Sequence, residues 1–160
     1  MKLKRKDVVR LHNTLTAISE FAKGELAYAV IRNLKKLEPE IAAISKLEPQ
    51  VPNELREYET ERINVVTQYA EKDENGAAVI KNNNYIIPEK DKEAFNNSIG
   101  IVTAKYKPSI DAYSNAYQEY EKLLEVETDF EPYEIKQAHI SSEITAKQLA
   151  GISELIEGLN

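Results

Sequence analysis

The 160-residue chain contains no cysteine and no tryptophan, and only five glycines. Without cysteine there is no disulfide, no thiolate nucleophile and no zinc site of the cysteine type, a composition that fits a reducing cytoplasm. The glycines are isolated at positions 24, 76, 100, 151 and 158, which excludes a glycine loop cradling phosphate and disfavours a barrel. No apolar run approaches the roughly 18–20 residues that a membrane span needs, so no membrane partner is expected. The basic start, Met1-Lys2-Leu3-Lys4-Arg5-Lys6, is not followed by the apolar segment of a signal peptide. Histidine is scarce as well, with His12 and His139 alone. Neither stands in a Glu-x-x-His spacing, which removes the di-iron chemistry of helical bundles, and no serine elbow occurs. Glu38 and Glu40 flank Pro39 and read as solvent-facing rather than as an acid–base pair. No catalytic residue, metal or cofactor is expected, and the chain reads as a non-enzyme.

What is abundant is helical periodicity. Val8, Leu11, Leu15, Ile18, Ala22, Leu26, Ala29, Leu34, Leu37, Ile41 and Ile44 recur at steps of three to five, predicting one long helix over about 7–47 that keeps phase through Pro39. Pro49 and Pro52 force a true break, and Asn53 is the expected N-cap of a second helix over 53–73. Asp73-Glu74-Asn75-Gly76 ends it. Short β-prone runs on either side of Lys81-Asn82-Asn83-Asn84 predict a hairpin within 77–88, since asparagine tolerates positive φ. Phe95, Ile99, Val102, Tyr106, Ile110, Tyr113, Tyr117, Tyr120 and Leu124 then predict a long helix over 89–125, kinked at Pro108 and antiparallel to the first. Such helices span on the order of 50 Å. Residues 126–160 should hold two short strands, 126–128 and 133–137, that could extend the hairpin, and a C-terminal helix opened by a Thr145/Gln148 capping box. The expected fold is α+β and mainly helical: a single domain of long antiparallel kinked helices, a small β-hairpin and a short C-terminal helix. The long stripes also predict a homo-oligomer, because one short second helix leaves much of them uncovered.

Charge is distributed unevenly. Residues 1–36 carry nine Lys/Arg against three Asp/Glu, whereas residues 37–160 carry twelve against twenty-four, for a net charge of −6. Either the basic start packs beside acidic later segments, or it serves an anionic partner. Lys2, Lys4, Arg5, Lys6 and Arg10 form the candidate binding cluster, placed at a helix start where the dipole also favours anions. A sequence pI near 5.1 argues against extended nucleic acid. Tyr106, Tyr113, Tyr117 and Tyr120 form a tyrosine ridge, either packed between helices or offered as an interaction surface.

The order of elements, together with Asn33-Leu34-Lys35-Lys36-Leu37-Glu38, the Lys72-Asp73-Glu74-Asn75-Gly76 turn, the Tyr85-Ile86-Ile87 strand and the Gln148-Leu149 helix, resembles small helical proteins of tailed bacteriophages. The resemblance brings no catalytic residues. It implies the cytoplasm of an infected bacterium and a role in host takeover, defence evasion or particle assembly. The function expected first is therefore a non-enzymatic phage binding protein that occludes a host protein or sequesters a small anionic, nucleotide-like ligand. Expected second is a structural or assembly protein, such as a scaffold, chaperone or virion accessory, working through helix–helix interactions.

Overall fold

The structure, a computed structural model, describes residues 1–158; the last two positions of the expected 126–160 segment lie outside the described residues. The fold is α+β and mainly helical, and it divides into two compact units where the sequence predicts one domain. One unit comprises Met1–Glu48 with Gln118–Asn160, the other Pro49–Tyr117. No helix among the described residues is long and apolar enough to cross a membrane.

In the first unit, strand β1 (Lys2–Lys4) leads into α1 (Arg5–Ser19), and α2 (Gly24–Leu47) follows. The single helix expected over 7–47 is thus two. Phe21 and Ala22 both return their N–H groups to the Ile18 carbonyl, and Gly24 takes φ +57°, a left-handed value that glycine adopts without strain. The chain therefore reverses, and α1 lies antiparallel on α2, with Arg5 paired to Glu40 and Thr16 sharing a groove with Ile31. Helix α2 runs on through Pro39 as expected. Val8, Leu11, Leu15 and Ile18 of α1 meet a core that includes Leu26, Ala29, Val30, Leu37 and Ile44 of α2. Each such valine, leucine or isoleucine contributes about 1.5–3 kcal/mol on leaving water. The C-terminal segment completes this core with Ile135, Ile152, Leu155 and Ile156. Helix α5 (Ala146–Ile152) opens on the predicted capping box: Gln148 N–H donates to Thr145 Oγ1 and Thr145 N–H to Gln148 Oε1.

The strand expected over 126–128 forms one residue later, as β4 (Glu127–Asp129), and it pairs antiparallel with β1 and does not extend the hairpin. Residues 133–137 form no strand; only Ile135 makes a bridge, to Ile156. Between Ile135 and α5, residues Gln137–His139 form a short 3-10 turn.

The second unit holds α3 (Asn53–Tyr69), strands β2 (Ile80–Lys81) and β3 (Asn84–Tyr85), and the larger part of α4 (Lys92–Leu124), which continues through Pro108. Asn53 is the first helical residue and not the N-cap, which is Pro52. Asn82 and Asn83 carry φ +50° and +62°, the two-residue turn that matches strand twist. Helices α3 and α4 are antiparallel: the Tyr58 ring meets Tyr106 at one end and Tyr69 meets Phe95 edge to face at the other. Only Val66, Ala70 and Tyr106 are buried among these residues, so this unit holds a far thinner core than the first.

Candidate functional site

The predicted anion-binding cluster is occupied by the protein's own carboxylates. Lys2 and Lys4 lie on β1 rather than on a helix, and register sets them opposite Asp129 and Glu127. Lys2 reaches Glu127 at 3.9 Å, Lys4 and Lys6 converge on Glu125 at 2.9 and 2.5 Å, Arg5 meets Glu40 at 2.7 Å, and Arg10 meets Asp7 at 3.3 Å. A carboxylate already on each cation removes most of the field an incoming anion would feel. Of the two readings that the charge asymmetry allowed, basic start against acidic partners within the chain is the one the geometry supports.

Glu125 is the hub of this clasp. The Lys6 ammonium, then the Lys4 ammonium, hydrogen-bond its carboxylate and hold its pKa below the ordinary range, while Glu125 raises that of Lys4. A carboxylate whose folded pKa is depressed contributes stability that is full above its unfolded value, about 4.3, and is lost as pH falls through the lower folded value. The Lys4 contribution has the opposite sense, full below its ordinary pKa and lost as pH rises through the raised one. Carbon-detected NMR titration should therefore place the Glu125 midpoint below a typical glutamate. Lys6→Gln should move it up more than Lys4→Gln does; equal movement would show that neither ammonium dominates, and absent movement that the two do not set it.

The predicted tyrosine ridge is divided. Tyr106 is buried between α3 and α4, donating its hydroxyl to Glu61 at 2.8 Å; Glu61 also accepts from Lys105 at 2.5 Å. Those two donors, Lys105 first, lower the Glu61 pKa, and the Glu61 carboxylate raises that of Tyr106. Tyr120 packs against the core of the first unit. Tyr113 and Tyr117 stack at 6.3 Å, and Tyr117 is 44% exposed. The four side chains therefore do not make one surface.

A different constellation stands out on α2. Tyr28 and Ile31 are 50% and 49% exposed, and Arg32 and Lys35 complete an i, i+3, i+4, i+7 ridge pointing away from the core. The guanidinium of Arg32 lies 5.9 Å from the Tyr28 ring centre and 5.7 Å from that of Tyr133, and the two rings meet edge to face at 5.6 Å. Tyr133 is held there by the neighbouring residue on the helix. The fully buried Asn33 accepts the Tyr133 N–H at 2.8 Å and donates to the Tyr133 carbonyl at 2.8 Å and to the Ala29 carbonyl at 3.0 Å. One turn on, Lys36 donates to the Glu131 carbonyl at 2.8 Å. Segment 131–133 is thereby strapped along α2.

Two depressions flank the ridge. One, of about 300 Å³, is lined by Glu25, Ala29, Tyr133, Glu134, Lys136 and His139; the other, of about 210 Å³, by His12, Thr16, Ile31, Leu34, Lys35 and Glu38. The two histidines thus lie in separate places. Among the described residues no group of three His, Cys, Asp or Glu side chains is placed to hold a metal ion. Sequence reasoning passed over the ridge because Tyr28 and Ile31 fall outside the counted apolar stripe. That misfit was itself the available signal, since two large apolar residues out of phase with the stripe face solvent on a helix whose other side is covered. Comparison with protein-family models, with curated proteins and with solved structures finds no match for this chain, so the functional reading rests on this geometry.

Proposed function

We propose that this chain is a non-enzymatic binding protein that occludes a partner protein, using the α2 ridge and the strapped 131–133 segment as its contact. The observation that carries this reading is the cluster of exposed Tyr28 and Arg32 on a well-packed helix with the half-buried Tyr133 strapped beside them. Tyrosine and arginine are enriched at interface hot spots, tyrosine because it brings large contact area at low entropy cost and arginine because its planar fork gives several directed hydrogen bonds. Here the two rings and the guanidinium brace one another before any partner arrives, which lowers the cost of ordering them on binding. The phage resemblance supplies the setting: the cytoplasm of an infected bacterium, and a host protein as the one occluded. Sequestration of a small anion by the N-terminal cluster is not part of the proposal, because those cations already have carboxylate partners.

The test is affinity capture with tagged protein from infected cells, comparing the parent with Tyr28→Ala, Arg32→Gln and, as a comparison on the other unit, Tyr117→Ala. A host protein recovered in stoichiometric amount by the parent and by Tyr117→Ala should drop at least about tenfold with Tyr28→Ala, the size of loss that a hot-spot tyrosine gives. Recovery that ignores Tyr28 and Arg32, or that yields virion components alone, would sink the proposal and favour an assembly role.

A further inference from the structure

The ridge has a chemical preference of its own. Arg5, Arg10 and Arg62 each sit on a carboxylate, whereas among the described residues no carboxylate lies within 4 Å of Arg32 or Arg56, and of these two it is Arg32 that is set against aromatic rings. Its guanidinium makes one hydrogen bond, at 3.5 Å, to the Tyr28 hydroxyl, although the group has five N–H donors. The two rings beside it supply no further acceptor, so N–H donors remain for a partner, and the guanidinium fork matches a carboxylate in a two-pronged geometry. Lys35 follows one turn later, with no carboxylate within 4 Å among the described residues either. Side chains one turn apart on a helix stand about 5–6 Å from each other at their β-carbons. The nearest acids along α2, Glu25 and Glu38, bracket the ridge at its two ends. Glu134, beside Tyr133, and Glu38, one turn after Lys35, also line the two depressions, so an incoming carboxylate is favoured on the Arg32 and Lys35 head groups and disfavoured on either side.

We infer that the occupant of this ridge is a protein segment carrying two carboxylates about one helical turn apart, one forked onto Arg32 and the other on Lys35. Its apolar side chains cover Tyr28 and Ile31. The inference rests on the reading of the ridge as a contact surface and adds the charge of what it contacts. Charge complementarity selects the partner here, since Arg32 and Lys35 are cations that the fold leaves without acids in a chain of net charge −6.

The probe is a labelled, end-capped helical peptide with two glutamates four residues apart among leucines and phenylalanines, beside the same peptide with glutamines. Fluorescence anisotropy follows binding, and NMR follows the Arg32 Nε–H resonance. At a salt concentration of about 50 mM the glutamate peptide should bind at least about tenfold more tightly, and the preference should shrink at about 300 mM as the charges are screened. It should move the Arg32 resonance. Arg32→Gln should abolish the preference, Arg32→Lys should restore part of it, and Lys35→Gln should reduce it less than Arg32→Gln. Both positions are exposed, so unchanged thermal melting checks that each variant folds. Equal binding of the two peptides, or a preference that survives Arg32→Gln, overturns the inference. So does a shift of the Arg32 resonance by adenosine monophosphate with none by the glutamate peptide, which would make the ridge a phosphate site. If the peptides do not differ but Tyr28→Ala still abolishes capture, the charge inference fails and the contact surface stands. If capture ignores both variants, the contact surface fails.

Discussion

Asn33→Ala is expected to lower the stability of the protein by about 2–5 kcal/mol, seen as a lower urea midpoint at unchanged slope. The side chain is wholly buried and closes a reciprocal pair of hydrogen bonds with the Tyr133 backbone, as a neighbouring strand would. Truncation leaves the half-buried Tyr133 N–H and C=O without their partner, at up to about 1–3 kcal/mol each, and adds a void where the wholly buried side chain stood. Asn33→Asp is a sharper probe. Its carboxylate could still accept the Tyr133 N–H, but its other oxygen would face the carbonyls of Ala29 and Tyr133. Burial and that repulsion raise the pKa of an aspartate so placed, so this variant should gain stability relative to the parent as pH falls and the protonated oxygen becomes a donor again. A loss below about 1 kcal/mol for Asn33→Ala would mean that the strap is not closed in solution. The same change should weaken partner capture, because it frees Tyr133 and with it one ring against Arg32.

How far this architecture could be read in advance depended on whether local chemistry or tertiary reversal decided the outcome. The capping box at Thr145 and Gln148, the Asn82-Asn83 turn and the break at Pro49 and Pro52 are local, and each formed where its residues predict. Helices through Pro39 and Pro108 were legible because the apolar phase on both sides agrees. That same reasoning hid the reversal at residues 20–23. Ile18, Ala22 and Leu26 are spaced by fours, so the stripe runs unbroken across a point where the chain folds back, and Gly24 was its only punctuation. The strand pairing of Lys2–Lys4 with Glu127–Asp129 joins residues more than a hundred positions apart, and short charged segments give no periodicity to read.

The site followed the same division. Charge asymmetry was visible in the sequence, but its meaning depended on which carboxylates the fold brings to Lys4, Lys6 and Arg5, and that is tertiary information. Once those pairs close, several cations remain without a carboxylate, and among them Arg32 and Lys35 stand together beside the exposed Tyr28 and Ile31, a grouping that no count of charges singles out. The prediction of self-association also divides by unit. In the first, the stripes of α1 and α2 cover one another, so the motive for a partner copy that the long stripes suggested falls away there. In the second, Ile101 remains 72% exposed on α4 above a thin core.

Gly151 and Thr14 should show the largest coupling between any two positions on the α1–α5 contact. A Cβ on Gly151 would stand 2.9 Å from Thr14 Oγ1 and 3.0 Å from Thr14 Cγ2, with no backbone in the way. Rotating Thr14 does not relieve this, since exchanging hydroxyl and methyl keeps one of them against the new atom, and the hydroxyl already donates to the Arg10 carbonyl at 2.9 Å. Gly151→Ala in the parent should therefore cost about 1–3 kcal/mol, the usual penalty of overpacking. In a Thr14→Ala background both obstructing atoms are gone, and the nearest remaining atom, Thr14 Cβ, is at an ordinary 3.4 Å. There the substitution should instead stabilise by up to about 1 kcal/mol, because alanine is the better helix former. The sign of Gly151→Ala thus reverses with the residue at position 14, and a double-mutant cycle by urea denaturation reads the difference directly, with an expected coupling of about 2–3 kcal/mol. Additive effects, or a Gly151→Ala that is harmless in the parent, would show that α5 does not rest on α1 at this distance.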